Sequence, residues 1–317
     1  MAIIEIENLK IYYKTLKGYI KAVENVSFDI EKGETMGLVG ESGCGKTTIG
    51  MSIMRLLPRN AKIIGGKILF EEEDLIKKRE EEMEKIRWKE ISMIFQAAMN
   101  ALNPVYRIED QILEAIYAHE NISKKEAVER VSKLYTLVGI DPKRAKEYPH
   151  EYSGGMKQRA IIAMALACNP KFIIADEPTT ALDVMVQDQI ISEIKEIQKK
   201  LQMTMMYISH DISVIAETCR RIGVMYAGNI VEYADAISLF KNPLHPYTEA
   251  LMSSFPSIKG EKKKLTPVPG EPPNLLNPPS GCRFHPRCSK AKNLCRKKAP
   301  KFVEYQHRHF VACHYVG

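Results

Sequence analysis

No apolar run in these 317 residues approaches the ~20 that a membrane-spanning helix needs. The nearest, residues 160–168, is short and is expected to lie inside an amphipathic helix. No secretory leader is expected either, since Met1 leads directly into a strand-like alternation. Both absences point to a soluble chain whose membrane role would be carried by partners. Nothing in it has the form of a nucleic-acid-binding module, so no nucleic acid is expected as a partner. The seven cysteines include no C-x2-C pair, which removes the knuckles usual in structural zinc sites and the compact runs of ferredoxins.

Acidic residues are scarce at one end. Residues 259–317 hold thirteen Lys and Arg against three Glu, while the rest of the chain is close to neutral. Such a basic tail reads as a solubilising surface or a contact for an anionic membrane.

What the chain does contain is sharper. Gly40, Ser42, Gly43, Cys44, Gly45, Lys46, Thr47 and Thr48 fall in the run GESGCGKTT, after an apolar strand at 35–39 and at the start of a helix. That is a phosphate-binding loop, whose backbone N–H groups and helix N-terminus point at anionic oxygens. Its glycines let the backbone close around phosphates, Lys46 would reach the β- and γ-phosphates, and the Thr47 hydroxyl would sit on Mg2+. A second run, YSGGMKQR, places Ser153, Gly154 and Gly155 at the start of another helix, 156–168, a second anion site. Residues 172–177 read FIIADE, an apolar strand ending in two carboxylates. Burial explains the apolar run but not the acids. Asp176 would hold Mg2+, and Glu177 would polarise an attacking water as general base. Asp183 follows in TTALD, and His210 stands at the end of a strand at 203–209, placed to meet a γ-phosphate.

Strands are expected at 3–8, 26–30, 35–39, 66–70, 91–95, 171–175, 203–209 and 222–226, with helices at 46–57 and 184–201. Residues 105–168 carry a helical pattern, so the reading is an α/β fold with an antiparallel start, a nucleotide-type sheet and an inserted helical subdomain. Nine of the seventeen prolines lie between 256 and 300, which marks a linker. The expected domains are an ATPase domain over 1–255 with its helical subdomain at about 97–168, a linker at 256–280, and a cysteine-rich module at 281–317.

These motifs, in this order, resemble the ATP-binding subunits of ABC transporters over almost the full length of the chain. The resemblance makes 40–47 the Walker A loop, Gln96 the Q-loop residue and a further Mg2+ ligand, and 153–155 the signature. It also makes Asp176 and Glu177 the end of Walker B, 181–183 the D-loop and His210 the switch histidine. An upstream aromatic is implied to stack on adenine: Tyr13, with Tyr12 or Tyr19 as alternatives because the stretch at 14–21 blurs the register. The segments IFQAAMNALNP (94–104) and NPLHPYT (242–248) resemble the dipeptide/oligopeptide importer branch. Tyr152 and Met156 replace the commoner Leu and Gln of the signature.

The resemblance implies ATP hydrolysis that powers peptide import from the cytoplasmic face of the membrane. It implies a second, related ATPase subunit packed head to tail, so that each signature closes over the other's ATP. Two permease subunits and an extracytoplasmic substrate-binding protein complete the expected partners. Import of nickel or another small solute is the alternative within the class; a soluble ABC ATPase acting on nucleic acid is the alternative outside it.

Cys282, Cys288, Cys295 and Cys313 crowd the last 36 residues. Reduced thiols in so small a module favour metal ligation over disulfides. Their wide spacing suits a bulky inorganic unit, and the resemblance implies a 4Fe–4S cluster, with Zn2+ as the alternative. His285, His307, His309 and His314 are near enough in sequence to be alternative ligands.

Overall fold

Two fourteen-residue strands, β1 (Ala2–Thr15) and β2 (Gly18–Glu31), open the chain as one antiparallel hairpin. They run well beyond the expected segments at 3–8 and 26–30. Asn8 and Asn25 adopt left-handed φ of 47° and 51° where the register shifts, which hides the strand alternation in the sequence. The stretch at 14–21 is simply the hairpin's tip. The structure, a computed structural model, describes residues 1–96, 98–180, 182–254 and 268–316.

β3 (Thr35–Val39) leads to α1 (Lys46–Ile53). This helix stops short of the expected end at 57. Arg55, at φ 52°, takes the left-handed closing position, and the Leu56 N–H reaches the Met51 carbonyl at 2.9 Å. β4 (Ala61–Phe70) and β5 (Glu73–Asp74) follow. Next come α2 (Glu80–Ile86), β6 (Ile91–Ile94), α3 (Ile108–His119), α4 (Lys124–Leu137) and α5 (Gly154–Ala165). The 160–168 run expected in an amphipathic helix is buried nearly all round: Ala160, Ile161, Ile162, Ala163 and Ala165 are all in the core. β7 (Phe172–Asp176), α6 (Val184–Leu201), β8 (Thr204–Ser209), α7 (Ile212–Thr218) and β9 (Arg221–Tyr226) continue the alternation. α6 matches its expected span because its signals are local, with the Asp183 carboxylate capping its start and Ile190, Ile191, Ile194 and Ile197 forming its buried stripe. The sequence reading gave no elements for β10 (Asn229–Asp235), α8 (Ala236–Lys241), α9 (Pro246–Ser253), α10 (Asn293–Lys297), β11 (Val303–Gln306) and β12 (His309–Val311).

The chain divides into two units, residues 1–31, 35–76 and 207–317 in one, 32–34 and 77–206 in the other. In the first, an antiparallel sheet runs β2-β1-β4-β5. Beside it, β3 pairs parallel with β9, and β9 turns through Ala227 and Gly228, both at positive φ, into antiparallel β10. β12 then pairs with β10, matching Glu232 to Val311 and Tyr233 to Phe310. Within the expected module at 281–317, β11 pairs with β12 and so extends this sheet. Part of the tail's charge is paired: Arg283, Arg287, Lys290 and Arg308 meet Glu24, Glu41, Glu249 and Glu31. Residues 255–267, which include the first part of the expected linker, lie outside the described residues, as does Ala181 of the D-loop.

In the second unit, β6 and β7 pair parallel and α3, α4 and α5 form the helical part. Among the described residues, no helix is long and apolar enough to cross a membrane.

Candidate functional site

β3 delivers the chain into the 40–45 loop, where Gly40 (φ 149°) and Gly45 (φ 107°) adopt conformations that L side chains avoid. A Cβ at either would strike backbone, the Met225 carbonyl oxygen for Gly40 and the Ala22 carbonyl oxygen for Gly45. The loop thus lies flush on β9 and β2. Lys46 opens α1 almost buried; its ammonium donates to the carbonyls of Gly40 at 2.7 Å and Glu41 at 3.2 Å. Ser42, Gly43 and Thr47 face outward. Cys44 packs inward, and burial pushes its thiol pKa up. The Tyr13 hydroxyl lies 3.1 Å from Thr48 Oγ1, beside α1. Tyr12 is its neighbour on the strand, and its hydroxyl donates instead to Glu24 at 2.7 Å. Burial first, then Glu24, raises the Tyr12 pKa to about 12. Tyr19 is exposed near the hairpin tip, so Tyr13 is the tyrosine seated next to the loop's helix. His210 is exposed, directly after β8.

In the second unit, β7 ends on Asp176, 1 % exposed. Glu177 then turns at φ 46°, a strained conformation for a residue with a side chain. Its Oε2 accepts from Gln96 Nε2 and from Thr180 Oγ1, each at 3.0 Å. Ser153 caps α5 by accepting the Met156 N–H at 3.3 Å, which leaves Gly154 and Gly155 in the first turn. A Cβ on Gly155 would come within 2.8 Å of Val186, so α6 itself requires glycine there. Asp183 caps α6 through the Val186 N–H at 3.0 Å. The two departures in the signature share a cause. The Tyr152 hydroxyl donates to the Arg144 carbonyl at 2.8 Å, and Met156 Sδ accepts from the Arg144 guanidinium at 3.3 Å.

The four tail cysteines are half-buried. Burial, then the neighbouring thiols, lifts the Cys282 pKa to about 11, and Cys288 and Cys313 shift the same way for the same reasons. Backbone N–H groups donate to three of these sulfurs, from Phe284, Lys290 and Tyr315. Of the histidines considered as alternatives, His309 is buried against Glu232 at 2.7 Å. His285 and His314 bond the carbonyls of Cys282 and Lys298. Among the described residues, no three His, Cys, Asp or Glu converge tightly enough to hold a single metal ion.

Sequence reasoning missed two residues that touch the phosphate-type loop. Arg287 forms a two-pronged ion pair with Glu41, and the Tyr247 hydroxyl accepts the Glu41 N–H, across 246 and 206 positions of sequence. No local pattern announces either contact.

Residues 23–180 match the ABC transporter family, and residues 231–295 match the oligopeptide/dipeptide transporter C-terminal region. The dipeptide transport ATP-binding protein DppD of Bacillus subtilis is 46% identical over 98% of this chain and 94% of its own. DppD of Caldanaerobacter subterraneus subsp. tengcongensis is 44% identical, covering 98% and 96%. The oligopeptide transport ATP-binding protein OppD of B. subtilis is 45% identical, covering 98% and 87%. Among solved structures, a dimeric ATP-binding cassette in a post-hydrolysis state, bound to ADP and Pi, superposes with TM-score 0.66 at 28% identity, over 74% of this chain and 98% of that one. With this likeness running end to end, the chain belongs to the ABC transporter ATP-binding proteins of the oligopeptide/dipeptide branch.

Proposed function

We propose that this chain hydrolyses ATP to drive the import of dipeptides or oligopeptides. The observation that carries the reading is the pairing, in one chain, of an ABC transporter match at 23–180 with an oligopeptide/dipeptide C-terminal match at 231–295.

In this reading Tyr13 stacks on adenine. Gly40, Ser42, Gly43, Cys44, Gly45 and Thr48 wrap the phosphates with backbone N–H groups, and Lys46 exchanges its two loop carbonyls for β- and γ-phosphate oxygens. Thr47, Gln96 and Asp176 present oxygen donors of the kind Mg2+ takes, and the ion would neutralise charge on those phosphates. Glu177 accepts the proton of the attacking water, with Gln96 and His210 holding water and γ-phosphate in line. Ser153, Gly154, Gly155 and Asp183 act on the nucleotide of a second, related ATPase subunit, so the working unit is a heterodimer. Two permeases anchor it at the cytoplasmic face of the membrane and receive a substrate-binding protein on the other side.

The cysteine set suits a 4Fe–4S cluster by number and donor type: four half-buried thiols within residues 282–313, three with N–H donors on sulfur. A cluster spans a wider gap than one ion, so ligands that fail to converge on a point still suit it. When bound, it would staple residues 282–313 together. On this reading the chain falls into an ATPase domain at 1–255, a linker at 256–280 and the cluster-bearing residues 281–317.

The test is reconstitution of the chain with its neighbouring-gene ATPase, permeases and binding protein. ATP-dependent uptake of labelled peptide that Lys46→Ala abolishes supports the proposal. Uptake of nickel but not peptide would move the substrate to the alternative.

A further inference from the structure

Glu41 is the one acidic residue of the phosphate-type loop, and the C-terminal extension holds it by both side chain and backbone. Arg287 Nη1 and Nη2 meet Glu41 Oε2 and Oε1 at 2.6 and 2.9 Å. The remaining donors of the same guanidinium are used as well: Nε on the Pro269 carbonyl at 2.6 Å, Nη1 on the Tyr226 hydroxyl at 3.3 Å and Nη2 on the Val268 carbonyl at 3.3 Å. The side chain is 5% exposed and lies over the Tyr226 ring, so it has a single available geometry. The backbone of Glu41 is fixed from the same side, its N–H donating to the Tyr247 hydroxyl at 3.0 Å. Tyr247 is itself clamped between Tyr226 and Phe284, with ring centroids 4.7 and 5.4 Å away. The Glu41 carbonyl is one of the two that the Lys46 ammonium uses.

We infer that Arg287 and Tyr247 are positioning residues for the nucleotide loop: they brace Glu41 so that the loop's carbonyls and Lys46 are preset for phosphate. Neither residue touches the nucleotide in this inference. They act by removing the freedom of a loop that would otherwise have to be ordered by ATP. The inference rests on the reading of residues 40–47 as the ATP loop, and the controls separate the two.

The experiment is equilibrium binding of Mg–ATP to the full-length chain, with KM and kcat for the same proteins and a thermal melt on each. Arg287→Gln and Tyr247→Phe are expected to raise Kd and KM about tenfold (about 1.4 kcal/mol) while kcat of the saturated enzyme moves less than about twofold. Arg287→Lys keeps the charge without the fork and is expected to recover only part of the loss. Glu41→Gln, which breaks the pair from the loop side, should match Arg287→Gln, and the double variant should be no worse than either single one. Should Arg287→Gln fold poorly, Glu41→Gln and Tyr247→Phe carry the same comparison. Wild-type Kd in folded Glu41→Gln and Tyr247→Phe, alongside lost binding in Lys46→Ala, overturns the brace. Retained ATP affinity in Lys46→Ala overturns the loop reading instead.

Discussion

Gln96 Nε2 donates to Glu177 Oε2 at 3.0 Å, and the Thr180 hydroxyl donates to the same oxygen at the same distance. The residue proposed as general base is therefore held by two neutral donors, at the end of a strand and on a strained backbone of φ 46°. Glu177→Gln preserves the shape of that arrangement and removes only the ability to accept a proton. ATP affinity is expected to stay within about threefold while phosphate release falls by ~10²–10⁴. The ATP-bound complex with the partner ATPase should then persist on gel filtration. Hydrolysis at the wild-type rate would remove Glu177 from the role of base.

Tyr152 replaces the commoner leucine of the signature, and its hydroxyl repays the substitution by bonding the Arg144 carbonyl at 2.8 Å and lying 3.0 Å from the Tyr135 hydroxyl. The site is nearly dry, so burial raises the pKa of both phenols and keeps them protonated as donors. Tyr152→Phe keeps the packing and loses the bond. It should cost about 1–2 kcal/mol, a fall in Tm of roughly 2–6 °C. An unchanged melt would show that the hydroxyl adds nothing to the start of α5.

His245 gives the C-terminal extension a pH dependence. The ring is fully buried, its Nδ1 accepts the Tyr247 N–H at 3.0 Å, and its own backbone N–H donates to the Glu232 carboxylate at 2.8 Å. Burial lowers its pKa from 6.5 to about 4, against an opposing pull from Glu232. Below about pH 6.5 the unfolded chain takes up a proton that the folded chain refuses, so this site favours unfolding as pH falls. The contribution is complete above pH 6.5 and is lost progressively down to about pH 4, by about 3 kcal/mol. Urea titrations at pH 7.5 and 5.0 should show a loss that His245→Asn reduces, since asparagine can still cap α9 without titrating. Equal losses in the two proteins would place the pH dependence elsewhere.

Local signals were legible in the sequence and distant ones were not. Asp183 and the isoleucines of α6 lie within a few turns of one another, and that helix matches its expected bounds. β12 owes its place to a strand some eighty residues earlier, through Glu232 and Val311, and His309 joins it by reaching the buried Glu232 carboxylate. The basic run at 259–317 read as a solvated surface because its partners Glu24, Glu31 and Glu41 lie more than two hundred positions away. Motif chemistry at the loops was readable because each loop carries its whole donor set in a few consecutive residues. The brace on Glu41 was not, because Arg287 becomes relevant to that loop only once the extension has folded back.

Cys282, Cys288 and Cys313 are held protonated when they carry no metal, since burial, then the neighbouring thiols, raises Cys282 to about 11 and shifts the other two upward. Loading a metal must expel those protons, so affinity should rise as pH rises. Protein purified without oxygen is expected to carry about four irons and about four acid-labile sulfides per chain, with broad visible absorbance. Cys295→Ser should lower both contents together and loosen the strand contacts of residues 303–311, seen as faster amide exchange there. One zinc per chain without sulfide would replace the cluster with a small structural site and would require the thiols to move closer than they stand. Metal-free protein with unchanged exchange at 303–311 would instead assign the fold of the extension to its ion pairs, above all Arg287 with Glu41 and Arg308 with Glu31.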